Sequence, residues 1–191
     1  MNISFCKVGP IRTNCYLAEG EDVCMLVDPG DDAESLLAMI GDKKVELIVA
    51  THFHDDHITA MAEVARATGA KTAASSIDAP LILRSTGLDH IDMLLEDGDE
   101  FDVGDMHFQV MITPGHTKGS MCLYCEKDAV LFSGDTLFAG THGRTDFPGG
   151  DYGEMVASLK RLSLLPQETN VLPGHEGFSM MIREYEWIER L

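Results

Sequence analysis

No run of apolar residues in this chain approaches the about 18–20 that a membrane-spanning helix needs. The opening residues, Met1-Asn2-Ile3-Ser4-Phe5-Cys6-Lys7, lack a basic segment followed by an apolar core. They do not read as a secretory signal, and the cytoplasm is the expected compartment. Basic residues are scarce, with 14 Lys and Arg against 32 Asp and Glu and a net charge of −18. Nucleic-acid binding needs a basic footprint, so no nucleic acid and no membrane are expected as partners. The same field repels anionic ligands unless local cations offset it. Cysteines number only five, an odd count, at Cys6, Cys15, Cys24, Cys122 and Cys125 inside apolar runs. That placement suits reduced thiols packed as small hydrophobes. Cys122-Leu123-Tyr124-Cys125 has redox spacing but lies in a strand-like run. Residues three apart on a strand point to opposite faces, so a core role is expected. Linkers, low-complexity tracts and short repeats are also missing.

What remains is ordinary for a globular protein. The chain has 191 residues, 45% apolar and 24% charged, which suits one domain spanning 1–191 with a sizeable core.

The informative segment is Thr51-His52-Phe53-His54-Asp55-Asp56-His57. Three imidazoles and a carboxylate in six residues suit zinc, iron or manganese. Three later segments carry similar groups: Thr113-Pro114-Gly115-His116-Thr117, Ser133-Gly134-Asp135-Thr136 and Leu172-Pro173-Gly174-His175. Each follows a short apolar run, as His52 follows Leu47-Ile48-Val49-Ala50. Any one of these residues alone reads best as a surface group. Four strands, each ending in a loop with a ligand type, make a metal site.

Patterning places the motifs. Ile3 to Val8, Asn14 to Ala18 and Val23 to Val27 read as opening strands. Asp31 or Asp32 caps a helix through Ala33, Leu36, Leu37 and Ile40, stopped by Gly41. A helical stripe of Ile58, Met61, Ala62 and Ala65 ends at Gly69, and a short helix is expected between Asp78 and Arg84. Met106, Phe108, Val110 and Ile112 alternate with His107, Gln109 and Met111, giving a strand with one buried face. His107 and His90 are read as outward histidines. A helix is expected from about Asp151 to Leu165, and a last one lined by Phe178, Met181, Ile182 and Tyr185. Periodicity alone gives mixed α and β in packed layers.

These residues together resemble the metallo-β-lactamase-fold hydrolases. Their signature of His-x-His-x-Asp-His, a distal His, a distal Asp and a last His reads here as His52, His54, Asp56, His57, His116, Asp135 and His175. The resemblance spans nearly the whole chain and includes Asn14-Cys15-Tyr16-Leu17 and Val27-Asp28-Pro29-Gly30. The segments from Pro114 to Ser120, Gly134 to Phe138 and Gly143 to Phe147 look most like the glyoxalase II branch. The resemblance implies an α/β (α+β) fold, a four-layer αββα sandwich. It implies two divalent ions, zinc first, with iron or manganese also compatible. His52, His54 and His116 would hold one ion, Asp56, His57 and His175 the other, and Asp135 would bridge. A hydroxide between the ions is the expected nucleophile, since even one zinc lowers the pKa of bound water to about 7. Asp56 and Asp135 are the carboxylates expected to be catalytic. A thiolate, with a free-thiol pKa near about 8.5, leaves without a dedicated acid. The expected substrate is a small acyl thioester such as a 2-hydroxyacyl-glutathione.

Asp28, Thr51, Asp55 and Asp146 are candidates to orient the imidazoles, with turn or capping roles as the alternative. Arg144 and Lys118 are candidate substrate-binding residues, Arg144 also being expected to pair with Asp146. Two departures stand out. Two-domain glyoxalase II proteins carry a C-terminal helical domain that supplies glutathione-binding surface, and this sequence ends at Leu191. Ile58-Thr59-Ala60 also replaces the Gly-Gly common after the last motif histidine. Two other readings remain: a mononuclear iron persulfide dioxygenase using His52, His116 and Asp135, and a non-catalytic metal-bearing binding module. The full donor set favours the hydrolase. Oxygen-reducing diiron relatives fit less well because they carry Glu where this chain has His54, and an exported β-lactamase fits less well without a signal.

Overall fold

Parallel strands need a crossover of a dozen or more residues, usually helical, and antiparallel ones only a turn. The first half of the chain uses both. The structure, a computed structural model, describes residues 1–191. Its first sheet holds β1 (Asn2–Val8), β2 (Thr13–Glu19), β3 (Cys24–Val27), β4 (Val45–Ala50), β5 (Lys71–Ser75) and β6 (Met93–Leu95), in that spatial order. The first three are antiparallel. From β3 to β6 the strands run parallel. Their crossovers contain α1 (Ala33–Ile40), then α2 (Asp55–Ile58) with α3 (Met61–Thr68), then α4 (Ala79–Thr86).

The second sheet is built from β7 (Glu100–Val103), β8 (Met106–Ile112), β9 (Met121–Cys125) and β10 (Val130–Gly134), all antiparallel. A two-stranded hairpin follows, β11 (Leu137–Phe138) with β12 (Thr141–His142). After α5 (Tyr152–Leu162), β13 (Asn170–Pro173) returns parallel to β10. Beyond it β14 (Ser179–Met180) forms the edge and leads into α6 (Met181–Ile188). No helix is long and apolar enough to cross a membrane.

Three apolar clusters fill the three spaces between four layers. Tyr16, Met25 and Val49 of the first sheet meet Phe108, Leu123 and Phe132 of the second. Leu17, Leu26 and Ile48 face outward and pack on Leu36, Met61 and Ile82 of the first helical layer. Cys122, Leu131 and Val171 pack on Met155, Leu159 and Met181 of the second. Both faces of β4 are therefore buried, which explains its unbroken apolar run. The layers are α, β, β, α, as expected. Cys122 and Cys125 lie in different clusters on opposite faces of β9, and all five cysteines are free thiols.

Several elements differ from expectation. The stripe from Ile58 to Ala65 is split between α2 and α3, with Thr59 and Ala60 between them. β8 buries one face only up to Val110, because the outer helical layer also covers Met111. The last helix turns a different face inward. It buries Met181, Glu184 and Ile188, leaving Ile182 54% and Tyr185 39% exposed, and Phe178 precedes β14. A buried carboxylate fixes that rotation: Glu184 accepts hydrogen bonds from the Gly140 N–H, the Ser179 hydroxyl and the Trp187 indole. Unpaired burial of that group would cost more than an exposed Ile182 does.

Candidate metal centre

All four ligand-type segments leave their strands at one end of the sandwich. β4 delivers Thr51 to His54 and the start of α2, while β8, β10 and β13 end before His116, Asp135 and His175. The structure brings the seven residues expected from the sequence into one cluster. Donor atoms of His52, His54 and His116 lie within 4.8 Å of one another, as do those of His52, His57 and Asp135, and those of Asp56, His57 and His175.

Hydrogen bonds settle which ring nitrogen three of the five imidazoles present. His57 donates from Nδ1 to Asp28 Oδ2 at 2.9 Å, and His116 from Nδ1 to the Arg144 carbonyl at 2.7 Å. His52 Nδ1 lies 3.1 Å from the Thr51 hydroxyl, which itself donates to Asp28 Oδ2 at 2.7 Å. In all three, Nε2 is left to face the cluster. There, nitrogens meet nitrogens. His54 Nδ1 is 2.9 Å from His116 Nε2, and His57 Nε2 is 3.3 Å from His175 Nε2. Asp56 Oδ2 lies 3.2 Å from both His57 Nε2 and His175 Nε2. Asp135 reaches His57 at 3.4 Å through Oδ1 and His116 at 3.4 Å through Oδ2.

These separations fit cations. Ligands about 2.0–2.1 Å from a tetrahedral metal stand about 3.3 Å from one another. His52 Nε2 and Asp135 Oδ1 are buried with no hydrogen-bond partner, a costly arrangement unless something electropositive satisfies them. Electrostatics agrees. Burial pushes His52 well below the usual imidazole pKa and takes His54 down to about 4, so both offer lone pairs at neutral pH. Burial alone would also lower His57, but Asp135 and Asp28 outweigh it and hold it well above the usual value. His175 is raised against its own burial by Asp56 and Asp135. Asp56 and Asp135 are held low against burial, Asp56 by hydrogen bonds from His175, His57 and Thr13, and Asp135 by His57. The carboxylates of Asp56 and Asp135 thus favour the charged forms of His57 and His175, and cations in the cluster would take over that role.

Of the candidate orienting residues, Asp28 is the hub. It is 2% exposed and accepts from Thr51 N–H, the Thr51 hydroxyl and His57. Asp146 instead grips Arg144 with two hydrogen bonds of 2.9 and 2.8 Å. The expected Arg144–Asp146 pair is therefore present, but in solvent rather than buried, at 62% and 67% exposure. Asp55 lines the cavity above the cluster without binding an imidazole. Lys118 is not brought to that cavity, because its ammonium pairs with Glu154 at 2.8 Å on exposed surface. His107 and His90 are exposed, as expected, beside Asp102 and Asp92.

Sequence reasoning missed other supports. The Thr13 hydroxyl donates to Asp56 at 2.9 Å. Asn14 and Tyr16 both donate to the Pro173 carbonyl and hold the His175 loop from below. Buried Asp78 accepts from Phe53 N–H, the Thr117 hydroxyl and Gly119 N–H, tying the His54 loop to the His116 loop. Gly174 is required by closeness, since a Cβ there would meet Asp135 Oδ1 and His57. Polar residues flanking the ligands were the only available signal for this shell.

A family model described as the metallo-beta-lactamase superfamily matches residues 8–175. The chain belongs to the metallo-β-lactamase superfamily. Its relatives include hydroxyacylglutathione hydrolases. GloC of Haemophilus influenzae, so named, is 31% identical over 202 aligned residues, covering 96% of this chain and 95% of that protein. Among solved structures, BLEG-1 B3 metallo-beta-lactamase superposes with a TM-score of 0.87 at 32% identity, covering 96% of each chain. TTHA1623 in a di-iron-bound form gives 0.82 at 36% identity, covering 96% of this chain and 97% of that one.

In this superfamily member the cluster floors an open cavity of about 690 Å³. Ile11, Phe138 and Phe147 give it apolar walls, and Thr141, His142 and Arg144 its polar ones. The Arg144 guanidinium lies over the Phe147 ring, 4.0 Å from its centre.

Proposed function

We propose that this chain hydrolyses small acyl thioesters, 2-hydroxyacyl-glutathione among them, using two divalent metal ions, zinc first. The observation that carries the reading is the seven-residue cluster at the cavity floor, with His52 Nε2 and Asp135 Oδ1 unpartnered. His52, His54 and His116 would hold one ion and Asp56, His57 and His175 the other, with Asp135 between them. Ions bound there supply a water of lowered pKa and a Lewis acid for the scissile carbonyl. The chain's own residues do the rest. Asp28 holds a proton on the outer nitrogen of His57 directly, and on that of His52 through the Thr51 hydroxyl, so both present Nε2 inward. The Arg144 carbonyl does the same for His116. Thr13 and the two flanking imidazoles keep Asp56 ionised. A thiolate leaving group needs no proton donor.

Substrate capture should be weak. The one Lys or Arg side chain lining the cavity, Arg144, is neutralised by Asp146, while Asp55 and Glu176 add negative charge to the lining. The related GloC supports the glutathione thioester as the first substrate to try. The test combines metal analysis with a steady-state assay of lactoylglutathione and of lactoyl esters of other thiols, at low and high salt. Close to two metals per chain and real turnover are expected, with a KM that salt leaves unchanged or improves by screening repulsion. Absent turnover by metal-replete protein would end the thioester reading. One iron per chain, with oxygen consumed in the presence of glutathione persulfide, would replace it with the dioxygenase. Iron as the metal of a two-ion site has a motive of its own, since TTHA1623 was solved in a di-iron-bound form.

A further inference from the structure

The β11–β12 hairpin is short, two residues per strand, and pairs with no other strand. Such a ribbon is at best marginal by itself. Yet it forms one wall of the cavity, contributing Phe138, Thr141 and His142. The Phe138 ring stands edge-on to the His175 ring, 6.1 Å away, so the wall reaches the cluster. His142 donates from Nδ1 to the Gly143 carbonyl at 2.7 Å, which leaves Nε2 as its open nitrogen.

What holds the hairpin tip is a carboxylate 44 positions away. Glu184 on α6, 2% exposed, accepts from Gly140 N–H at 2.8 Å. The same oxygen accepts from the Trp187 indole at 2.6 Å, and the other oxygen from the Ser179 hydroxyl. Trp187 in turn stacks on His142, with ring centres 6.5 Å apart and 28° between planes. A buried carboxylate held only by neutral donors is an expensive device for packing a helix. Its reach to Gly140 gives it a use.

We propose that this hairpin is the substrate-selecting wall of the cavity and that Glu184 is the positioning residue that sets it in place. The inference rests on the thioester reading above, and the test keeps the two apart. Glu184→Met removes both acceptor oxygens at similar length. Glu184→Gln keeps one oxygen for Gly140 and Trp187, and its amide meets Ser179, whose hydroxyl can turn to accept. With lactoylglutathione, Glu184→Met should raise KM about tenfold and change kcat less than about twofold, the pattern of lost ground-state binding. Metal content should stay at the wild-type value, and Glu184→Gln should behave as wild type. Trp187 is the sole tryptophan, so acrylamide quenching reads the latch without any substrate. Quenching should rise in Glu184→Met and not in Glu184→Gln. His142→Leu alters the wall without touching the buried carboxylate and should also raise KM, which keeps the proposal decidable if Glu184→Met does not fold. Unchanged KM in both would overturn it. So would metal and kcat falling together, or a Glu184→Gln variant that behaves like Glu184→Met. If wild-type protein turns over no thioester, the chemistry reading fails by itself. Equal quenching in the Met and Gln variants would then overturn the positioning role, and a difference would sustain it.

Discussion

Asp28→Asn is the most searching perturbation of the proposed metal centre, because it changes none of the seven clustered donors. Asp28 sits at a φ of +55°, a left-handed conformation that Asn tolerates well, so the backbone should hold. The wild-type carboxylate meets three donors: Thr51 N–H at 2.7 Å, the Thr51 hydroxyl at 2.7 Å and His57 Nδ1 at 2.9 Å. An amide has one acceptor. If its oxygen keeps Thr51 N–H, its NH2 faces the other two. The hydroxyl can turn and accept, but the His57 Nδ1–H then opposes a donor. His57 can escape only by giving up the Nδ1 proton and keeping one on Nε2, the nitrogen 3.2 Å from Asp56 and 3.4 Å from Asp135. That removes a lone pair from the site. Loss of a hydrogen bond to a charged group costs about 1.5–3 kcal/mol, so the metal-free protein should lose about that much stability. Metal affinity should fall about 10–100-fold, the usual effect of removing an orienting partner. Urea unfolding in chelator reads the first quantity, and competition with a chromophoric zinc chelator the second. A urea midpoint that drops while metal affinity stays within about twofold would refute the reasoning, leaving Asp28 a structural residue with no hold on the site.

Other predictions follow from the same geometry. Asp135→Asn should lose much of its metal affinity and nearly all hydrolysis, because an amide brings no negative charge between two cations. Cys122→Ser and Cys125→Ser should keep their turnover, and kinetics on the three variants would separate metal from thiol chemistry. Chelator-treated protein should lose stability as pH rises above the usual imidazole range. His57 and His175 have raised folded pKa values, so their contribution is complete below the unfolded value and is lost as pH climbs through the folded one. His52 and His54, depressed by burial, act only below that range, and metal affinity should climb over the same rise in pH as fewer protons compete. Thermal melts of metal-free protein across about pH 6.5–9 check the sign, and a melting temperature that rises over that window would contradict it.

The clustered donors were legible in the sequence because most are local events: an apolar strand, a turn-forming residue, then a donor. His52, His116, Asp135 and His175 sit at such strand ends, and the alternation from Met106 to Ile112 beside unbroken apolar strands already implied layers. Helix starts at Asp32 and Asp151 were readable for the same reason, since a cap acts within three residues. What the sequence could not decide was which residues pair over distance: it offered Asp28 as one of four candidate orienting residues without its partner, and it gave no sign of Thr13 or Tyr16 as supports. Asp28 orients His57 from 29 positions away, Thr13 fixes Asp56 from 43, and Tyr16 holds Pro173 from 157. The inward face of α6 shows why tertiary structure has the last word. Its apolar residues Ile182 and Tyr185 are turned out and Glu184 is turned in. Hydrophobic periodicity ranks faces by transfer free energy alone. A buried carboxylate with three donors waiting in the folded protein reverses that ranking, and only the fold brings those donors together.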